Sequence, residues 1–162
     1  MQKTNAMRIL EKNKTAHQIF TYPHQGSALE GTEVAHLMGQ SEQEVFKTLA
    51  TFGSDGRSVY VFVVPVCCEL DLKKAARAVG EKSVSMLPVA KLLASIGYQR
   101  GACTPIGMKK DFPVTVDESA RHQAHIFVSG GAIGTQIMIA PDDLLSNCKG
   151  KYADIIREKA DI

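Results

Sequence analysis

Apolar side chains recur along this chain in two periods, and the switches between them divide it into short helices and strands. Asp71 precedes Leu72, Ala75, Ala76 and Val79, the i, i+3, i+4, i+7 spacing of an amphipathic helix, and Gly80 ends it. Pro88 opens a second helix that runs to Ile96, with Gly97 beyond its end. Ala6, Ile9 and Leu10 predict a helix over 4–13, and Thr32 caps one through Met38 with Gly39 as its stop. Ser41 to Glu44 has capping-box spacing and predicts one helical turn; Pro141, followed by Asp142 and Asp143, opens a further helix. The β-rich runs Val45 to Phe52 and Ser58 to Val64 flank Gly53-Ser54-Asp55-Gly56 and predict a hairpin. Its second run is apolar on both faces, which places the hairpin inside a sheet covered on each side. Further strands are expected over 17–22, 83–86, 112–116, 125–128 and 135–139, and a charged, partly helical tail over 151–162. Hairpins outnumber regular strand–helix–strand units. The fold class is therefore a mixed α/β domain over residues 1–162, with a largely antiparallel, barrel-like sheet surrounded by short helices.

Composition narrows the possible partners. Hydrophobic content of 44% and charged content of 22% place the chain among ordinary globular domains. A net charge of +2 is too small for a surface that grips duplex DNA, so any nucleic-acid contact is local, such as one strand end. The four cysteines, Cys67, Cys68, Cys103 and Cys148, form no C-x-x-C and suggest no disulfide framework, which points to reduced thiols in the cytoplasm. The segment MQKTNAMRIL lacks a signal-peptide core, and no apolar run is long enough to cross a membrane.

Lys47 breaks the hydrophobic pattern. Strand alternation points it the same way as Val45 and Leu49, where an ammonium costs free energy unless it reaches water or an anion. It is either a lysine whose stem lies along apolar surface with its head in solvent, or a positive charge at the floor of a pocket. A second irregularity is the loop from Gly97 to Lys110. Gly97, Gly101, Gly107 and Thr104-Pro105 disfavour a continuous element, yet Tyr98, Ala102, Cys103, Ile106 and Met108 are too apolar for a solvated linker. Such a loop packs against the core or against a ligand, and its glycine N–H groups suit a phosphate, carboxylate or ester oxyanion. The Ser129-Gly130-Gly131 turn offers similar groups, but a strand pattern follows it and excludes a dinucleotide fingerprint. His17 and His24 match no metal-ligand spacing. No Ser/His/Asp set, recognised Cys/His pair, H-E-x-x-H or P-loop is present. The residues alone reach a soluble α/β domain in which Lys47 is either a solvated lysine or the cation of an anion pocket.

Several segments in one order carry a resemblance that runs nearly end to end. They are Leu10-Glu11-Lys12-Asn13-Lys14, Thr21-Tyr22, Val45-Phe46-Lys47-Thr48-Leu49, Leu70-Asp71-Leu72-Lys73-Lys74, Gly97-Tyr98, Gly101 with Thr104 to Lys110, Val128-Ser129-Gly130-Gly131, and Ile139-Ala140-Pro141 with Asp143-Leu144. In these the chain resembles the YbaK/EbsC family of free-standing aminoacyl-tRNA deacylases, relatives of the editing domain inserted in bacterial prolyl-tRNA synthetases. The resemblance implies a single domain of that fold and makes Lys47 the residue on which activity depends, with Gly101 beside it in catalysis. Tyr22, Thr48, Thr104, Pro105, Ser129 and Gly130 become the substrate-binding residues. The implied reaction hydrolyses the ester of a mischarged aminoacyl-tRNA. Cys-tRNA(Pro) is the leading substrate, with Cys-tRNA(Cys) as a second candidate and the substrate thiol assisting. The implied partners are the aminoacyl-tRNA acceptor end and, in some members, prolyl-tRNA synthetase; no cofactor, metal or membrane is implied. Two positions depart from the family pattern. Ala132 and Ile133 stand where many relatives carry a basic pair, and Cys103 stands where an apolar residue is usual, which marks it as packing. The alternatives are a binding module that holds tRNA ends or nucleotides without hydrolysis, and a deacylase for another small amino acid such as alanine.

Overall fold

The hydrophobic run of the expected hairpin lies at the centre of the molecule. In the structure, a computed structural model that describes residues 3–157, β2 (Phe46–Phe52) and β3 (Val59–Pro65) pair antiparallel from Phe46 with Pro65 to Phe52 with Val59. The sheet continues through β4 (Ser85–Met86), β5 (Val114–Asp117) and β8 (Lys151–Ala153) in the order β4-β2-β3-β5-β8. Along β3, Val61 and Val63 face one cluster of buried side chains while Phe62 and Val64 face another. That arrangement is the physical reason for an uninterrupted apolar strand.

Each face has its own cover. α3 (Leu72–Val79) lays Ala75 and Ala76 against Phe62, Val64 and Ile155. The opposite, larger core is built from Ala6, Met7 and Leu10 of α1 (Asn5–Lys12), from α4 (Val89–Ile96) through Ile96, and from α5 (Pro141–Cys148) through Leu144. It also takes Ile126 and Val128 of β6 (Ile126–Ser129) and Ile137 and Ile139 of β7 (Thr135–Ile139). With β1 (His17–Thr21), these strands form a separate three-stranded antiparallel sheet in the order β1-β7-β6. The two sheets touch through a parallel bridge between Val45 and Phe127.

Several sequence expectations need correction. The strands do not form one barrel-like sheet: among the described residues they form two sheets and no closed barrel, and the β3–β5 and β5–β8 pairings are parallel. Antiparallel pairing still predominates. Residues 151–153 form a strand rather than a helical tail, and the rest of that expected segment, beyond Arg157, lies outside the described residues. α2 (Gly31–Leu37) begins at Gly31 after Glu30, so Thr32 is not its cap. A Cβ on Gly31 would lie 2.9 Å from Val66 Cβ, so the helix start is set by close approach to the end of β3. The other helices begin and end where local signals place them. Asp71 Oδ1 accepts from the Lys73 and Lys74 amides at 3.0 Å, and Gly80 and Gly97 take left-handed conformations with φ of 73° and 97°.

One buried carboxylate ties the C-terminal segment to the sheet. Asp117, 1% exposed, accepts from the Ile155 amide through Oδ1 and from the Ser119 amide through Oδ2, each at 3.1 Å. Replacing it with alanine leaves two amides without partners, and Asp117→Ala is expected to lower stability by about 2–4 kcal/mol in denaturant unfolding. A loss under about 1 kcal/mol in the same titration means that water replaces the carboxylate there.

Candidate active site

The two sheets meet beside a cavity of about 260 Å3, and elements distant in sequence line it. β2 contributes Lys47 and Thr48, the residue after β1 contributes Tyr22, β6 ends in Ser129, and β7 contributes Gln136. One rim is the segment Ala28 to Gly31 leading into α2, and the other is Arg100, Gly101 and Cys103 from the glycine-containing loop.

Lys47 is half-buried. Its neighbours on the same strand face, Val45 and Leu49, pack in the clusters beneath α2 and α3 respectively. Among the described residues nothing accepts a hydrogen bond from its Nζ or pairs with it. A cation so placed, at the wall of a concave site and without a protein partner, is a binding point for an anion or for an oxygen that becomes negative. The sequence left open a solvated lysine head; the structure brings that head to a cavity.

The loop after α4 both packs and faces the cavity. Tyr98, Ala102, Thr104, Pro105 and Ile106 are buried, and the Tyr98 hydroxyl donates to the Ile106 carbonyl at 2.7 Å. Gly101 has φ +87°, and a Cβ there would lie 2.8 Å from Ala28 Cβ and 3.3 Å from Ile133 Cγ1. Only glycine fits between these two segments. The Gly101 amide donates to no acceptor among the described residues, so it remains available to a ligand. Two further polar atoms of the lining are buried without partners, Thr48 Oγ1 and Gln136 Oε1. Unsatisfied groups of this kind cost free energy, and because these two are closed off from the open space of the cavity they reach a ligand only when the lining shifts.

Among the described residues the cavity holds no nucleophile–base pair. Ser129 Oγ accepts from the Gly131 amide at 3.2 Å and bonds to no histidine or carboxylate among the described residues. Burial pushes the Cys103 thiol up to about 11, and it donates weakly to the Tyr98 and Gln99 carbonyls. A thiol held in that state stays protonated at neutral pH and is a poor nucleophile. Cys103→Ala is expected to keep activity within about threefold of wild type, since it deletes one small side chain and no reacting group. A loss above about tenfold in single-turnover assays would return Cys103 to the chemistry.

Comparisons with known proteins agree with this picture. A family model described as an aminoacyl-tRNA editing domain matches residues 27–146, which contain every cavity residue named here except Tyr22. Over 154 residues, 95% of this chain and 93% of its relative, the sequence is 44% identical to the candidate Cys-tRNA(Pro)/Cys-tRNA(Cys) deacylase EbsC of Enterococcus faecalis (strain ATCC 700802 / V583). The chain belongs to the YbaK/EbsC family of aminoacyl-tRNA editing domains. Solved structures share the fold of this editing domain across its length. One, described as a candidate trans-editing enzyme for prolyl-tRNA synthetase, superposes with a TM-score of 0.81 at 22% identity, covering 98% of this chain and 100% of that one. A scaffold used for computational epitope grafting superposes with a TM-score of 0.82 at 26% identity and the same coverage.

In this editing domain the structure brings Lys47, Gly101, Tyr22, Thr48 and Ser129 together around one cavity. It places Thr104, Pro105 and Gly130 outside the lining. Thr104 and Pro105 are buried in the loop, and Gly130 is buried where a Cβ would meet Thr135 Oγ1 at 2.6 Å. Gln136, Arg100 and Glu30 also line the site and carry no signal in the sequence. A glutamine in a strand and two charged residues in loops read as solvent-facing positions. Only the pairing of β7 with β1 and β6 turns Gln136 toward the junction of the sheets.

Proposed function

We propose that this editing domain hydrolyses the ester of mischarged aminoacyl-tRNA, with Cys-tRNA(Pro) as its main substrate. The observation that carries this reading is the unpaired Lys47 ammonium in one cavity with the unpaired Gly101 amide. An aminoacyl ester is already activated, so a site needs positioning and charge stabilisation more than a strong nucleophile. The scissile carbonyl sits with its oxygen toward the Gly101 N–H, where charge develops as the tetrahedral intermediate forms. Lys47 orients the ribose and adds to the field at that oxygen. With a small shift of its side chain, Gln136 Oε1 accepts from the α-ammonium group of the amino acid, which satisfies a buried acceptor.

Cysteine supplies its own nucleophile. The substrate sulfur attacks its carbonyl carbon, a C–S bond forms, and the ester C–O bond breaks. The thiol proton passes to the departing ribose oxygen, and water then opens the thiolactone to free cysteine. This accounts for a site with cations and amides but no protein nucleophile. A cavity of this size admits alanine or serine as well, so discrimination rests on the chemistry of the thiol more than on fit. The substrate class supports a working place in the cytoplasm beside the synthetase that makes the error, with prolyl-tRNA synthetase as the partner.

The test is release of labelled amino acid from cysteinyl-, seryl-, alanyl- and prolyl-tRNA(Pro). Fast loss of cysteine with slow loss of serine is the expected pattern, because the two differ only in sulfur against oxygen. Equal loss of cysteine and alanine removes thiol assistance. Protection of every ester identifies a binding module.

A further inference from the structure

Beyond the cavity rim lies a second concavity that the reaction does not use. It spans about 440 Å3, and its walls include Val89 and Leu93 of α4, Ile133, Ala28, Gln99 and Arg100. Val89 and Leu93 are 60% and 61% exposed, the two most exposed large hydrophobic residues among those described. Four residues apart on α4, they present one apolar face. The groove adjoins the active cavity directly, because Ala28 and Arg100 line both. Gly101 lines the cavity and abuts the groove, since a Cβ on it would lie 2.8 Å from Ala28 Cβ and 3.3 Å from Ile133 Cγ1.

We infer that this groove binds the terminal nucleotide of the tRNA, with the adenine base on Val89, Leu93 and Ile133 and its phosphate at Arg100. The inference rests on the deacylase reading. With the ester carbonyl at Gly101, the ribose sits at the cavity mouth, and its base and 5′-phosphate leave across the rim. The rim at Ala28 and Arg100, beside Gly101, is shared with this apolar groove. An apolar floor with one cation at its edge matches a nucleotide, which offers a flat face and an anion together. The Arg100 guanidinium lies 3.9 Å from Glu30, and both side chains are well exposed, so that pair is weak and yields to a phosphate. Gln99 also lines the groove, and its amide can hydrogen-bond a base edge. A groove of about 440 Å3 falls within the size range of small-ligand sites.

Two measurements on the full chain test the inference. The trinucleotide CCA, which ends every tRNA, is titrated while the methyl signals of Val89, Leu93 and Ile133 are followed by NMR. The KM and kcat of Cys-tRNA(Pro) hydrolysis are then compared between wild type and Leu93→Asp, a change at an exposed position. CCA is expected to move the groove methyls in wild type and in Lys47→Ala, and to bind poorly to Leu93→Asp. That variant should raise KM by about five- to tenfold with kcat nearly unchanged. Active wild-type enzyme whose groove methyls ignore CCA, or whose KM is unmoved in Leu93→Asp, overturns the nucleotide site and leaves the deacylase intact. A KM effect that appears only when prolyl-tRNA synthetase is present also overturns it, in favour of a protein-docking face. Groove methyls that respond to CCA in a protein without deacylase activity leave the nucleotide site standing and remove the hydrolytic reading. No response and no activity removes both.

Discussion

Replacing Lys47 with methionine is expected to lower kcat/KM for Cys-tRNA(Pro) by about 10²- to 10³-fold, the usual effect of deleting one preorganised stabilising group. Methionine nearly keeps the length and volume of the side chain and removes the charge, so a loss of this size reports electrostatics rather than a collapsed cavity. The drop should fall mainly on kcat if the ammonium stabilises the developing oxyanion, and mainly on KM if it only holds a phosphate. Lys47→Arg keeps the charge, but its planar fork does not reproduce a point charge, and partial activity is expected. Stability should move the other way. Lys47 sits among apolar neighbours with no partner for its ammonium among the described residues, so Lys47→Met is expected to leave Tm unchanged or raise it. Full activity in Lys47→Met would remove the central element of the proposed mechanism.

Gly101→Ala is the second large effect. The residue has φ +87°, which costs a non-glycine residue roughly 1–2 kcal/mol, and its new Cβ would lie 3.0 Å from Ala28 Cα. Backbone cannot yield as a side-chain tip does, so the loop must shift. The Gly101 amide shifts with it, and a displacement of about 1 Å at a reacting group costs about 10²-fold in rate. Gly107 in the same loop is the control. It also has positive φ, at 72°, but its Cβ would meet Asn5 Nδ2, Ile9 Cδ1 and the Tyr98 hydroxyl, on the side facing α1. Gly107→Ala is expected to lower stability comparably while activity per folded molecule stays within about threefold. If the two variants lose activity equally at equal folded fraction, the loop acts through its overall order, and the Gly101 amide holds no special place.

The sequence determined the local elements of this protein because their signals are local. An aspartate that accepts from two amides starts α3, and a proline starts α4. A glycine that tolerates positive φ ends each of them, and the β-rich runs of β2 and β3 need only their own turn to pair. Lys47 was legible for the same reason: a charge in an apolar strand is conspicuous without any knowledge of its surroundings. Resemblance to a known family added the other cavity residues, Tyr22, Thr48, Gly101 and Ser129, at matching motifs.

What the sequence could not reach depends on contacts between segments far apart in the chain. β8 is three residues long, and only its parallel alignment with β5 makes it a strand. The strands divide into two sheets because β7 pairs with β1 and β6 while β5 lies between β3 and β8, which no periodicity encodes. α2 starts one residue before Thr32 because Val66, in the turn after β3, requires a glycine at that point. Gln136 reads as an ordinary polar strand residue until the sheets meet and leave its oxygen buried without a partner. Thr104 and Pro105 share a motif with Gly101, yet the loop turns at its glycines, sending them into the core and Gly101 to the cavity. Local propensity thus fixed most of the helices and the central hairpin. Packing across the junction of the two sheets fixed which of them share a site, because burial depends on neighbours in space and not on neighbours in sequence.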